Sequence, residues 1–369
     1  MILLTGAYRL FFPAAGLFAA VALPLWLVMY MGADLLDDPM SWHMHEMLFG
    51  YLGAALAGFL FTAIPNWTGR PALAPAQIAV LFGLWLAGRL AIFVAPEAMA
   101  AQVITAAFLP VTTVLAGRDI IASQNKRNLV VVGLLAAMSL VQAVFLWLDP
   151  QWATDAALAL SLVLMALIGG RVTPAFTRNW LNRRGGGKVP PPFGRVDRAG
   201  LTATGLVAAS WAATGLSMVT GVLAVLATLA LAARLTRWQA ARVAQEPLLL
   251  AQHAAYAWLP IGTALLAAAS LSDLVTLSQI RHAFGAGAIG TMTVIVMLRA
   301  VLGHSGRPIE GRLIDWILLA CLHLGALLRV ISGGIGDPIP VLHSAGSLWA
   351  LGMALFVIRT LPIAMAPRQ

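Results

Sequence analysis

Residues 41–71 read SWHMHEMLFGYLGAALAGFLFTAIPNWTGRP. About 20 of them form a run apolar enough to cross the hydrocarbon core of a bilayer as a helix. Two histidines and a glutamate introduce the run, and a Pro-Asn-Trp-Thr-Gly-Arg-Pro turn closes it. Ionisable side chains are costly in a membrane and tend to be there for a purpose. The stretch therefore sets both the fold class and the question of what the histidines do.

The rest of the chain has the same character. It is 369 residues long, 60% hydrophobic and only 10% charged, with a mean hydropathy of +0.88. Soluble domains carry about a quarter charged residues. In lipid every backbone polar group must be satisfied internally, and runs this long form helices, not barrel strands. The sequence predicts an all-α, polytopic integral membrane protein, one membrane domain over 1–369. Twelve spans are expected, near 10–31, 42–64, 76–95, 98–117, 129–148, 152–174, 200–217, 219–236, 247–271, 280–302, 313–332 and 340–363. The first run is followed by Asp34, Asp37 and Asp38 without a small-residue cleavage pattern, so it reads as a retained span. The single cysteine, Cys321, excludes an internal disulfide and any cysteine-based zinc or iron–sulfur site.

Charge tests the count. Loops after even-numbered spans hold Arg70, Arg118, Lys126, Arg127, the arginines of 178–198, Arg237, Arg242, Arg307 and Arg312. Loops after odd-numbered spans hold Asp34, Asp37, Asp38, Glu97, Asp149, Asp273 and Asp337. Because Lys and Arg accumulate on the cytoplasmic side, both termini are expected there, in a bacterial cytoplasmic (inner) membrane. The net charge of +9 then reflects orientation in a lipid bilayer, and no nucleic acid partner is expected. The basic Gly/Pro-rich stretch 175–199 is read as a flexible cytoplasmic connector near anionic headgroups. Its GGGK lacks the strand and the Gly-Lys-Ser/Thr of a phosphate loop.

The opening stretch has a partner. HAFGAGAIGTMTVIVMLRAVLGHSGRP, 282–308, lies without gaps on HEMLFGYLGAALAGFLFTAIPNWTGRP, 45–71. His45 aligns with His282, Gly50 with Gly287, Gly53 with Gly290, and TGRP with SGRP. The offset joins span two to span ten. It suits three four-helix units, with span six as the third equivalent, and not the six-span repeat of a transporter. The spans also read as lacking paired charges at mid-depth.

His43, His45, His282 and His343 cluster at the outer ends of their spans, while His253 and His304 lie toward the inner side. Any one of them could simply hydrogen-bond a neighbouring helix. Successive helical residues are about 100° apart, so His43 and His45 cannot share a metal from a regular helix. Two histidines at one depth on separate helices suit a haem b held between imidazoles, with His45 and His282 as the pair and His43 in reserve. Gly50, Gly53, Gly285, Gly287 and Gly290 would let a flat ring approach, although glycine is also common where membrane helices pack. His43 with Met47 offers a soft donor set for copper, and His253 with His304 forms a separate inner pair. Glu46 would hydrogen-bond the His43 imidazole, relay protons, or sit as an interfacial carboxylate. Arg89, Arg281 and Arg329 could meet haem propionates.

WHMHEMLFGY with AGFLFTAIPNWTGRP, then GGRVTPAFTRNWL, QHAAYAWL, HAFGAGAIGTMT and LGHSGRP, resemble the NnrS family of bacterial membrane proteins. The resemblance runs from the first span to the last. It implies a haem- and copper-containing cytoplasmic-membrane protein tied to nitric oxide tolerance and denitrification, with His43, His45, His253, His282 and His304 as its motif histidines. Histidines on spans two and ten are also similar in outline to the low-spin haem pair of haem–copper oxidases. Spans six and seven, however, lack the histidines such enzymes need. Three functions stand open: a metal site that binds or reduces nitric oxide with electrons from an unknown donor, a transporter, or a haem-based sensor or assembly factor without turnover.

Overall fold

The computed structural model describes every residue except Met1, Gly186, Gly336 and Asp337. Asp337, one of the acids assigned above to the outer side, thus lies outside the described residues. No strand occurs among them. Twelve long helices follow one another: α1 Ala7–Tyr30, α2 Pro39–Thr68, α3 Pro75–Val94, α4 Met99–Ala122, α5 Leu129–Trp147, α6 Pro150–Arg183, α7 Arg195–Thr214, α8 Met218–Thr236, α9 Pro247–Leu271, α10 Leu277–His304, α11 Leu313–Ser332 and α12 Ile339–Met365. The protein is a polytopic helical membrane protein.

Eleven of the twelve are long and apolar enough to span a bilayer. The other is α7. Arg195, Asp197 and Arg198 occupy its first turn, and Thr202, Thr204 and Ser210 dilute the rest. Burial separates the helices by role. In α2 and α10, 78% of the apolar window is buried, against 33% in α3, α4 and α5. The helices that carry His45 and His282 are therefore interior, whereas Val80, Leu90 and Leu140 stand exposed on others, as side chains facing lipid do.

Helical structure enters the 175–199 stretch from both ends. Residues 175–183 continue α6 and 195–199 begin α7, leaving 184–194 as the connection. Arg178 donates to the carbonyls of Pro190 (3.1 Å) and Pro191 (2.9 Å), and Arg242 to that of Lys188. Val189 packs on Leu181, Val243 and Leu249. Arg178 and Arg242 thus tie residues 188–191 to their own segments.

The chain divides into two compact units. One contains the residues up to Ala157 with Met297–Ile309 and Met353–Gln369; the other contains Leu158–Val296 and Glu310–Gly352. In the first unit Arg9 of α1 donates to the carbonyls of Ala364 and Ala366, both at 2.7 Å, satisfying acceptors left over at the end of α12. In the second, Arg234 of α8 is fully buried. It donates to Asp197 on α7 (2.9 Å), to the Ala166 and Gly170 carbonyls on α6 (2.7 and 3.2 Å), and to the Tyr256 hydroxyl on α9 (2.8 Å). A Cβ at Gly170 would occupy the guanidinium's place. One cation, near the end of its own helix, joins four helices.

Candidate functional site

Around His45, α2 departs from the regular helix. Asp38 caps its start by accepting from Ser41 N at 2.9 Å, with Pro39 following at the first position. From Glu46 to Tyr51 the backbone then forms a π-turn, with Leu52 N–H bonded five residues back to Met47 O. Such turns are rare and concentrate at functional sites. His45 is 2% exposed and Glu46 is fully buried. Glu46 Oε1 accepts from His45 Nδ1 at 2.8 Å and from Arg89 Nη1 of α3. The carboxylate thus turns to His45 and not to His43. Arg89, expected at haem propionates, is instead the buried counter-ion of Glu46.

The other imidazole nitrogen faces Gln142 of α5. Gln142 Nε2 lies 3.2 Å from His45 Nε2 and 3.4 Å from the Thr105 carbonyl. A carbonyl only accepts, so the amide nitrogen is the atom turned this way, and it donates to the imidazole. His45 is accordingly the Nδ1–H tautomer with its lone pair on Nε2. Phe49 and Phe145 close over the ring at centroid distances of 5.2 and 5.3 Å. Three further polar atoms, Glu46 Oε2, Arg89 Nε and Gln142 Oε1, are buried there without a protein partner.

The second copy is built alike. A π-turn runs from Ala283 to Gly290, directly after His282. His282 Nδ1 donates to Ser278 O at 2.8 Å, which again leaves the lone pair on Nε2. Ser278 Oγ accepts from Arg329 Nη2 at 2.9 Å, so Arg329 braces the turn that holds the histidine. Arg281 is half-buried beside it. Both copies also end alike. Gly69 and Gly306, matched in the alignment, take left-handed φ values of 71° and 80°, a conformation that favours glycine. That is why Thr-Gly-Arg-Pro and Ser-Gly-Arg-Pro close the two helices.

The glycines do not form the open surface expected of them. A Cβ on Gly50 would meet Arg89 Nη1 at 2.7 Å and Glu46 Oε2 at 3.0 Å; on Gly53 it would meet Phe108 at 3.4 Å. Gly287 lies against the Trp258 ring and Gly290 against that of Trp349. Gly285 alone of the five faces open space, one turn from His282.

The remaining histidines are held by ordinary packing. His43 stacks on Trp26 at 4.3 Å. Both nitrogens of His253 are engaged, Nδ1 with Leu249 O (2.9 Å) and Nε2 with Trp238 O (3.2 Å) and Thr177 Oγ1 (3.4 Å). His304 packs on Tyr8 at 5.6 Å. His253 lies in the second unit and His304 in the first. Among the described residues no three His, Cys, Asp or Glu side chains converge as a metal site. Sequence reasoning missed Gln142, Trp85 and Ser278. Gln142 did carry a signal, as the one amide in LVVVGLLAAMSLVQAVFLW.

A family model described as NnrS protein matches residues 2–368. The chain belongs to the NnrS family. No curated protein matches it. For this NnrS-family chain the match covers both histidine-bearing helices and everything between them, so the paired π-turns sit inside the family's own extent. Membership marks a membrane protein of the nitric oxide response.

The donor chemistry at His45 and His282 fits haem iron. Each is hydrogen-bonded through Nδ1, which leaves Nε2 as the nitrogen a metal would take, the arrangement that orients metal-ligating histidines. The space on the His282 side, at Gly285, fits as well. On the His45 side Gln142 covers Nε2 and would have to swing away. For copper, His43 stacks on Trp26 and both nitrogens of His253 are already hydrogen-bonded, and no step is derived through it.

Proposed function

We propose that this is a haem-holding redox protein of the bacterial cytoplasmic membrane, with both termini cytoplasmic, that binds or reduces nitric oxide. The observation behind it is the matched pair: two histidines in sequence-equivalent places, each ahead of a π-turn, each with its lone pair on Nε2. The pairing of His45, in the first unit, with His282, in the second, as ligands of the iron rests on the sequence match, with His43 in reserve. Bound there, haem supplies one-electron chemistry and, when ferrous, affinity for nitric oxide.

The protein's own residues prepare the site. Glu46 fixes the His45 tautomer and the orientation of its ring by accepting from Nδ1. Arg89 pairs with that carboxylate in a place where a lone charge would be too costly. Phe49 and Phe145 exclude water from the imidazole. Nitric oxide is neutral and lipid-soluble, so it reaches an interior site through the bilayer and needs no polar channel. Electrons come from a donor of unassigned identity. The cytoplasmic placement of the termini rests on the alternation of basic and acidic loops.

Optical and EPR spectra with metal analysis on purified wild type, His45→Ala and His282→Ala test the assignment. Both variants are expected to lose haem. A wild type without a Soret band, or haem retained in both variants, overturns it.

A further inference from the structure

The two π-turns share a feature that neither the histidines nor the glycines explain. In each π-turn a carbonyl takes a hydrogen bond from outside its own helix. In the first unit Gly50 O accepts from the indole N–H of Trp85 at 3.0 Å. In the second Ala286 O accepts from the indole N–H of Trp349 at 3.3 Å. Indole has one donor and no acceptor, so it reaches the carbonyl without bringing a further polar group that needs a partner. Trp85 is 3% exposed and Trp349 6%, which keeps water from competing for either carbonyl.

The geometry points to Trp85 and Trp349 as positioning residues that lock the π-turns and thereby aim His45 and His282. On α3, Trp85 and Arg89 are one turn apart and hold the two ends of the same π-turn, Gly50 and Glu46. On the other side, the Trp349 ring also lies against Gly290, the last residue of its π-turn. The indole bond ties each π-turn to a neighbouring helix, and without it the turn is freer to return to regular α-helix. That change moves the register by one residue, roughly 100° and 1.5 Å. His45 and Gly50, like His282 and Gly287, are five apart. The π-turn stacks them on one face, where an α-helix would set them about 140° apart.

The assignment of these two roles rests on the haem reading only for its spectroscopic arm. Trp85→Phe and Trp349→Phe remove the N–H and keep a ring. Benzothienylalanine at either position keeps the bicyclic shape and removes the N–H alone, should phenylalanine prevent folding. Trp147→Phe is the control, since its indole donates to Gln102 at an exposed place. Hydrogen exchange of the 46–52 amides in the position 85 variants, and of 284–291 in the position 349 variants, is expected to quicken about ten-fold, the loss of one net hydrogen bond. The haem EPR g-values are expected to shift in both and to stay put in Trp147→Phe. Unchanged exchange overturns the lock. Faster exchange with an unaltered haem signal overturns the positioning role. A wild type without haem removes the functional reading alone, and exchange then decides the lock.

Discussion

At the scale of single residues, the centre of the first unit is an ion pair with an imidazole attached. Glu46 and Arg89 are both almost wholly buried. Removing one member of such a pair leaves the other charge without compensation and costs about 3–5 kcal/mol. Glu46→Gln is therefore expected to lower the thermal midpoint in detergent sharply. Combining it with Arg89→Met should restore part of the loss, because the uncompensated cation goes too; equal loss in the single and double variants would contradict this. The sequence made His45 and His282 legible, since an ionisable group in an apolar run stands out and the gap-free match sets the two at one depth. Gln142 was not legible. It lies on a helix 97 residues away along the chain, and only packing brings its amide to the imidazole.

Elements carry a second kind of information. Helix α2 was readable as a span to within a few residues, but its π-turn was not, because the letters EMLFGY serve equally well in an α-helix. What forces the extra residue lies elsewhere, in Trp85 and Arg89 on α3. The glycines illustrate the same limit. Their spacing suggested a single smooth surface, yet Gly287 sits under Trp258 and Gly285 under nothing. Gly287→Ala is thus expected to be destabilising by roughly 1–3 kcal/mol through overpacking. Gly285→Ala is expected to be neutral or to gain up to about 1 kcal/mol in helix propensity. Unfolding midpoints of the two variants, compared side by side, check this; equal shifts would mean Trp258 moves aside freely.

For the molecule as a whole, hydropathy and loop charge foretold the membrane class and the order of helices, with α7 the one that is too polar to qualify. They did not reveal how four helices of the second unit are tied together. Arg234 sits near the end of an apolar run, where it reads as one more basic loop residue. Its partners, Asp197, Tyr256 and two backbone carbonyls, come from three other helices. Arg234→Met is expected to cost about 3–5 kcal/mol, because Asp197 keeps only the weaker Arg237 contact at 3.3 Å and the two carbonyls lose their buried donor. Arg234→Lys should recover little, since an ammonium cannot reproduce the planar fork; yield of folded protein and its thermal midpoint report both. The π-turns have a consequence of another sort. Each spends one residue more than a straight helix of the same rise would use. A chain one letter shorter within 46–51 could still close every backbone bond, yet the imidazole before the deletion would look toward different neighbours. What distinguishes these two helices from ten plain ones is kept in how many residues they have, as much as in which.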